Sequence, residues 1–203
     1  MSKQMTFFFD VGGVLLTNAW DTATRRRASE KFGLADSEFQ TRHGMLKTAF
    51  ETGQLSLDDY IRKTVFHNPR DFSEQDFRDF MFAQSQQFGD TLDWLRKVAS
   101  QGEHRFFTLN NESQELHEHR VRQFGLDEIF EGFITSCYLG TAKPDERIYL
   151  SALGIAGVLP EDAVFFDDRD LNIEPAAALG MTAFRFQGLA HLQSTLARFG
   201  IDI

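Results

Sequence analysis

Thr6-Phe7-Phe8-Phe9-Asp10-Val11-Gly12-Gly13-Val14 joins an apolar run to a carboxylate and a glycine pair. Three successive phenylalanines suit a short strand buried on both faces of a parallel sheet. Asp10 comes where such a strand must end. Gly12 and Gly13 lack side chains, so backbone N–H groups there can approach a bound anion closely. The pattern places one acid at the carboxyl edge of a sheet, which is where open α/β sheets take their ligands.

Four further runs read as strands: Arg105–Leu109, Gly132–Ser136, Ala163–Asp167 and Thr182–Phe186. Helical spacing lies between them. Leu92, Leu95, Val98 and Ala99 repeat with a helical period and stop at Gly102; Ile148, Tyr149 and Leu153 repeat before Gly154; Ala176 to Leu179 precede Gly180. Strands alternating with helices predict an α/β fold, a Rossmann-like parallel sheet with helices on both faces. Residues 17–89 interrupt the alternation. They are helical throughout, with capped starts at Ser56-x-x-Asp59 and Ser73-x-x-Asp76 and apolar stripes through Phe39, Leu46 and Phe50 and through Phe77, Phe80, Met81 and Phe88. We expect an all-helical cap at 17–89, inserted into a core of 1–16 and 90–203 and covering the carboxyl edge. Arg25-Arg26-Arg27 reads as a solvated helix face, with a phosphate-binding patch as a remote second reading.

The composition limits the partners. Twenty-one Lys and Arg against 30 Asp and Glu leave a formal charge of −9 on 203 residues, which argues against broad nucleic-acid or anionic-membrane surfaces. A single cysteine, Cys137, cannot form an internal disulfide and points to a reducing compartment. The run Phe7 to Leu16 is split by Asp10 and too short to span a bilayer, and no targeting segment is visible, so a cytoplasmic location is expected. Phenylalanine supplies 22 residues, and the predicted strands and the helical insertion hold most of them, as core.

Polar groups gather at the predicted strand ends. Asn110 and Asn111 follow the second strand, Asp167 and Asp168 close the fourth with Asn172 a helical turn later, and Lys143 lies in the loop Gly140–Pro144. Hard carboxylate oxygens with an amide nearby suit Mg²⁺, and a lysine beside them offsets a phosphoryl group's charge. An aspartate on such a strand can act as a nucleophile. His117 and His119 are two apart on a helix and diverge; Cys137 reads as a packed residue.

In order and spacing, Asp10-Val11-Gly12-Gly13-Val14, Asn110, Lys143-Pro144 and Asp167-Asp168-x-x-x-Asn172 resemble the motifs of the haloacid dehalogenase-like superfamily. The likeness is greatest to the branch of sugar-phosphate phosphatases, epoxide-hydrolase N-terminal phosphatase domains and 2-haloacid dehalogenases. It implies a Mg²⁺-dependent phosphomonoesterase acting on a small phosphorylated metabolite through an aspartyl-phosphate. Asp10 would be nucleophile and metal ligand, with the Gly12 carbonyl and Asp168 completing the protein's share of the Mg²⁺ site. Asp167 and Asn172 would support from outside, and Lys143, Asn110 and Asn111 would hold the phosphate.

Two positions depart from the family pattern. Gly12 stands where its phosphatases usually carry a second aspartate, the acid for the leaving group, and Asn110 stands where Ser or Thr is usual. These departures keep open a binding protein without turnover; a metal-free 2-haloacid dehalogenase is the other alternative, from which Gly12 and the pair Asp167-Asp168 both point away. Specificity would reside in the cap, where Asn18, Trp20, His43 and Phe50 are candidate mouth residues that packing alone also explains.

Overall fold

The computed structural model describes residues 4–201. Five strands form one parallel sheet: β1 (Thr6–Phe9), β2 (Arg105–Asn110), β3 (Gly132–Thr135), β4 (Ala163–Asp167) and β5 (Thr182–Arg185). Each begins where the sequence predicts and ends within one residue of the expected place. The order across the sheet is β3-β2-β1-β4-β5.

The alternation of side chains along the strands builds two cores. Phe7 and Phe9 of β1, Phe106 of β2 and Phe166 of β4 pack on one face. Leu92, Leu95 and Val98 of α5 (Thr91–Ala99) and Leu192 and Leu196 of α10 (Leu189–Leu196) cover them. Val121 and Phe124 of α6 (Gln114–Phe124) close the same side. Phe8, Phe107 and Phe165 face the other way, under Ile148, Tyr149 and Ala152 of α8 (Glu146–Ala156) and Ala176 of α9 (Asp170–Ala178). Phe9 stacks between Phe166 and Phe106, with ring centroids 5.2 and 6.1 Å away.

Between β1 and α5 lie α1 (Thr22–Phe32), α2 (Asp36–Glu51), α3 (Leu57–Thr64) and α4 (Glu74–Ala83). Ser56 accepts from the Asp59 N–H, and Ser73 with Asp76 forms a reciprocal capping box. These helices bury a core of their own around Phe39, Tyr60, Ile61 and Phe77. Phe88 departs from the expected stripe: it lies beyond α4 and is 44% exposed, its N–H bonded to the Leu15 carbonyl. The end of α2 is fastened to the sheet, where Ser136, the first residue of α7 (Ser136–Leu139), donates through Oγ to the Glu51 carbonyl at 2.6 Å. Gly53 follows with φ +74°, and a Cβ there would lie 2.2 Å from the Cys137 carbonyl oxygen, so only glycine permits the approach.

Among the described residues no helix is long and apolar enough to cross a membrane. The sheet's dependence on its central ring stack is testable. Phe9→Ala should lower unfolding free energy by about 3–5 kcal/mol, measured by denaturant titration, with far-ultraviolet dichroism retained at low denaturant.

Candidate active site

The strand order reverses between β1 and β4, and the crevice at such a point lies outside the strands' carboxyl ends. Asp10 leaves β1 and Asp167 closes β4, so both carboxylates meet there. Lys143 lies between them, its Nζ 3.0 Å from Asp10 Oδ1 and 2.6 Å from Asp167 Oδ2. It also donates to the Leu109 carbonyl at 2.7 Å. All three side chains are buried or nearly so.

The surrounding amides fix this arrangement. Asn172 donates from Nδ2 to both oxygens of Asp167 at 3.0 Å, and the Arg169 N–H donates to Asp167 Oδ1 at 2.9 Å. Asn111 clamps the main chain of Lys143: its Nδ2 donates to the Lys143 carbonyl and its Oδ1 accepts from the Lys143 N–H, each at 2.8 Å. Its side chain, expected on the phosphate, also places the lysine.

Asp10, Asp167 and Asp168 each offer an oxygen within 4.8 Å of the others. Asp168 Oδ1 is buried without a hydrogen-bond partner, while Oδ2 accepts weakly from Asn18 Nδ2 at 3.5 Å. Gly13, with φ +78°, makes room for that carboxylate, since a Cβ would stand 2.4 Å from Asp168 Oδ2. Three carboxylates around one ammonium leave an excess of negative charge. Burial pushes the Asp10 carboxyl well above its usual range, Asp167 and Asp168 push the same way, and Lys143 opposes them. For Lys143, burial works against the ammonium, but Asp10 and Asp167 overcome it and hold its pKa above the ordinary value. An oxygen that accepts no hydrogen bond, an acidic triad and a glycine cradle fit a small hard cation.

A second buried network adjoins the first. Arg120 Nη1 pairs with Glu112 Oε1 at 2.7 Å, with both side chains almost fully buried. Asn110 donates to Glu112 Oε2 at 3.0 Å, and Arg120 also donates to Ser85 Oγ and to the Thr17 carbonyl. The sequence reading passed over Glu112 and Arg120. Their signal is the spacing Glu112, Leu116, Arg120, a buried stripe of period four with a charge at each end. Asn18 fills the space at the glycine pair: a Cβ on Gly12 would lie 2.6 Å from Asn18 Oδ1 and 3.8 Å from Arg120 Nη1.

Between the sheet edge and α1 and α2 is a cavity of about 430 Å³. Asp10, Gly12, Asn110 and Lys143 line it from the sheet, and Asn18, Trp20, His43 and Phe50 all line it too. The Arg25-Arg26-Arg27 run divides: Arg26 and Arg27 are exposed, whereas Arg25 is 7% exposed and lines the cavity, so it does not belong to a solvated face. A helix turns 100° per residue, which sends the first arginine inward while its neighbours face water. Burial pushes the Cys137 thiol up to about 12, as for a packed cysteine. His117 is buried, and His119 instead stacks on Phe82 at 4.5 Å.

The family model for haloacid dehalogenase-like hydrolases matches residues 4–180. The chain is 26% identical over 196 residues to the chloroplastic flavin mononucleotide hydrolase 1 of Arabidopsis thaliana, covering 94% of this chain and 78% of that protein. It is 25% identical over 193 residues to the phosphorylated carbohydrates phosphatase of Thermotoga maritima, covering 90% and 84%. A family enzyme from Bacteroides thetaiotaomicron, solved with magnesium and inorganic phosphate, superposes with a TM-score of 0.75 at 20% identity over 94% of this chain and 99% of that one.

Breaking the Glu112–Arg120 pair leaves a buried charge uncompensated, so Glu112→Gln should lower unfolding free energy by about 3–5 kcal/mol, read by denaturant titration. His43 gives a separate check. Burial first, then Arg25 and Lys47, lower its pKa to about 3. The folded protein should resist protonating it, losing stability as pH falls from about 6.5, where the unfolded imidazole takes up its proton, toward about 3. Its ring carbon resonances should stay flat between pH 8 and 5.

Proposed function

Since the chain belongs to the haloacid dehalogenase-like hydrolases, we propose that it is a Mg²⁺-dependent phosphomonoesterase for a small phosphorylated metabolite, with Asp10 as nucleophile. The observation that carries this is Lys143 held between Asp10 and Asp167 with Asp168, whose Oδ1 accepts no hydrogen bond, in the same acidic cluster. The full-length relatives named as hydrolases of flavin mononucleotide and of phosphorylated carbohydrates support a phosphate ester as the substrate. Lone Cys137 fits the reducing cytoplasm as its place of action.

In this mechanism a carboxylate oxygen of Asp10 attacks phosphorus in line, and the bond to the leaving oxygen breaks with its electron pair. Lys143 offsets charge on Asp10 and on the phosphoryl oxygens. Asn110, which gives one amide hydrogen to Glu112, has a second for the phosphoryl group. Water then attacks phosphorus in the aspartyl-phosphate, releasing phosphate and restoring Asp10. Asp10, Asp168 and the Gly12 carbonyl would hold the ion, with Asp167 and Asn172 fixed around them. When bound, Mg²⁺ supplies the positive charge that three carboxylates and a phosphoryl group require. Asn111 places Lys143 and, like Asn110, keeps a second amide hydrogen for the phosphoryl group. The same charge excess disfavours a metal-free haloacid dehalogenase.

Gly12 carries no acid, and Asn18 already fills the space a side chain there would need. Leaving groups that need little protonation should therefore react fastest. A screen of phosphorylated metabolites with Mg²⁺ tests the proposal. Activity should vanish with EDTA and return with Mg²⁺, and Asp10→Asn should lose about 10³-fold or more. Aryl phosphates should show rates rising steeply with leaving-group acidity. Wild type as inert as Asp10→Asn across the panel would leave a binding protein as the answer.

A further inference from the structure

We propose that Arg25 and His43 form an anion-binding subsite on the helical side of the cavity, so that the substrate carries a second anionic group, a carboxylate or a further phosphate. The inference rests on the phosphatase reading for the reacting end of the substrate; at the other end it stands on separate observations.

The first is how the charges of the cavity pair. Lys143 faces Asp10, Arg120 faces Glu112, Lys47 lies 3.8 Å from Glu51, and Arg169 lies 3.8 Å from Asp168. Asp21 caps α1 by accepting from the Thr24 N–H. Among the described residues Arg25 alone of these cavity cations contacts no carboxylate. Its Nε donates to Gln40 Oε1 at 2.8 Å, Nη1 to the Trp20 carbonyl at 2.6 Å and Nη2 to Thr22 Oγ1 at 3.1 Å, all neutral oxygens. The nearest relay to an anion runs through Gln40, whose Nε2 donates to Asp36 Oδ1 at 3.1 Å. A buried guanidinium without a contacting counter-charge is unfavourable. Burial pulls its pKa below the ordinary value against the pull of Tyr60, Asp21, Glu51 and Asp36. Three of the guanidinium's five N–H groups are engaged, which leaves donors for a ligand.

The second observation is the tautomer of His43, one turn beyond Gln40 on α2. The Trp20 indole N–H donates to Tyr60 Oη at 2.8 Å, and Tyr60 Oη lies 2.9 Å from His43 Nδ1. Indole nitrogen can only donate, and among the described residues Nδ1 is the one acceptor within reach of the buried Tyr60 hydroxyl, so the tyrosine proton goes to Nδ1. The imidazole proton then sits on Nε2, and a neutral ring lining the cavity presents a donor. A buried cation on α1 and an N–H donor on α2, both lining one cavity, suit a carboxylate or phosphate. The pair gives no such advantage to an uncharged tail.

A matched series separates the alternatives: alkyl phosphates of three to five carbons ending in methyl, in carboxylate or in a second phosphate. At the best length, wild type should favour an anionic tail in kcat/KM by about tenfold or more, the range for a charged hydrogen bond. The carboxylate and phosphate arms tell the two anions apart. In Arg25→Met the anionic-to-neutral ratio should fall to about one, and in Arg25→Lys, which keeps the charge without the fork, to an intermediate value. A ratio unchanged in Arg25→Met, or a wild-type ratio near one at every length, overturns the subsite and leaves Arg25 as a tie between α1 and α2. Calorimetric binding of the same esters to Asp10→Asn reads the preference without turnover. Should wild type hydrolyse no ester, the phosphatase reading fails, while that binding preference still decides for or against the subsite.

Discussion

The ammonium of Lys143 sits 2.6 Å from one buried carboxylate and 3.0 Å from another, and the rest of the sheet edge is arranged to keep it there. Taken singly, each of these groups would be expelled from a dry interior or neutralised. Together they persist because β1 and β4 lie side by side at the switch point and because Asn111 and Asn172 satisfy the polar atoms left over. The phenylalanine stack beneath has a part in this. Rings that interlock across three strands give a floor that neither admits water nor shifts, so the carboxylates stay close despite their repulsion. With Asp168 counted, three carboxylates face one ammonium, and that excess of negative charge is the reason the phosphatase reading includes a cation.

The strands were legible because their signal is local. Runs such as Phe7-Phe8-Phe9 or Val164-Phe165-Phe166 can be little else, and the acid that ends each run is placed by the strand itself. Asp10, Lys143, Asp167, Asp168 and Asn172 could thus be brought to one edge from residue order alone. What stayed hidden depends on partners distant in sequence. Nothing in Arg25-Arg26-Arg27 shows which arginine turns inward until Gln40 and the Trp20 carbonyl are in place around it. Asn111 looked equivalent to Asn110, yet a contact 32 residues away separates them. Phe88 fitted a helical stripe by spacing, but the chain had already left α4 to bridge back toward Leu15 and Leu16.

Gly12 illustrates how one residue type can be read two ways. As sequence it is an omission, the missing acid of a phosphatase. In three dimensions it is one side of an exchange: Asn18 occupies the vacated space, reaches toward Asp168, and lies beside Arg120, whose guanidinium also holds the Thr17 carbonyl. A further carboxylate here would add to a site that already has too many. Replacing it with an amide lowers that repulsion and secures the segment leading into α1. On the phosphatase reading the consequence falls on the leaving group, which must depart with less help.

The net charge of −9 then bears on the substrate in a definite way. A protein so acidic repels phosphate esters at long range, so recognition must come from short-range positive points that are screened from water. The sheet edge offers Lys143, joined on the phosphatase reading by a cation, and the helices offer Arg25 across the cavity. Low dielectric strengthens both, because each is buried. An ester anchored only at the sheet edge would leave Arg25 without a contacting counter-charge inside the protein. The same burial that disfavours an uncompensated charge on Arg25 therefore favours a ligand long enough to reach it.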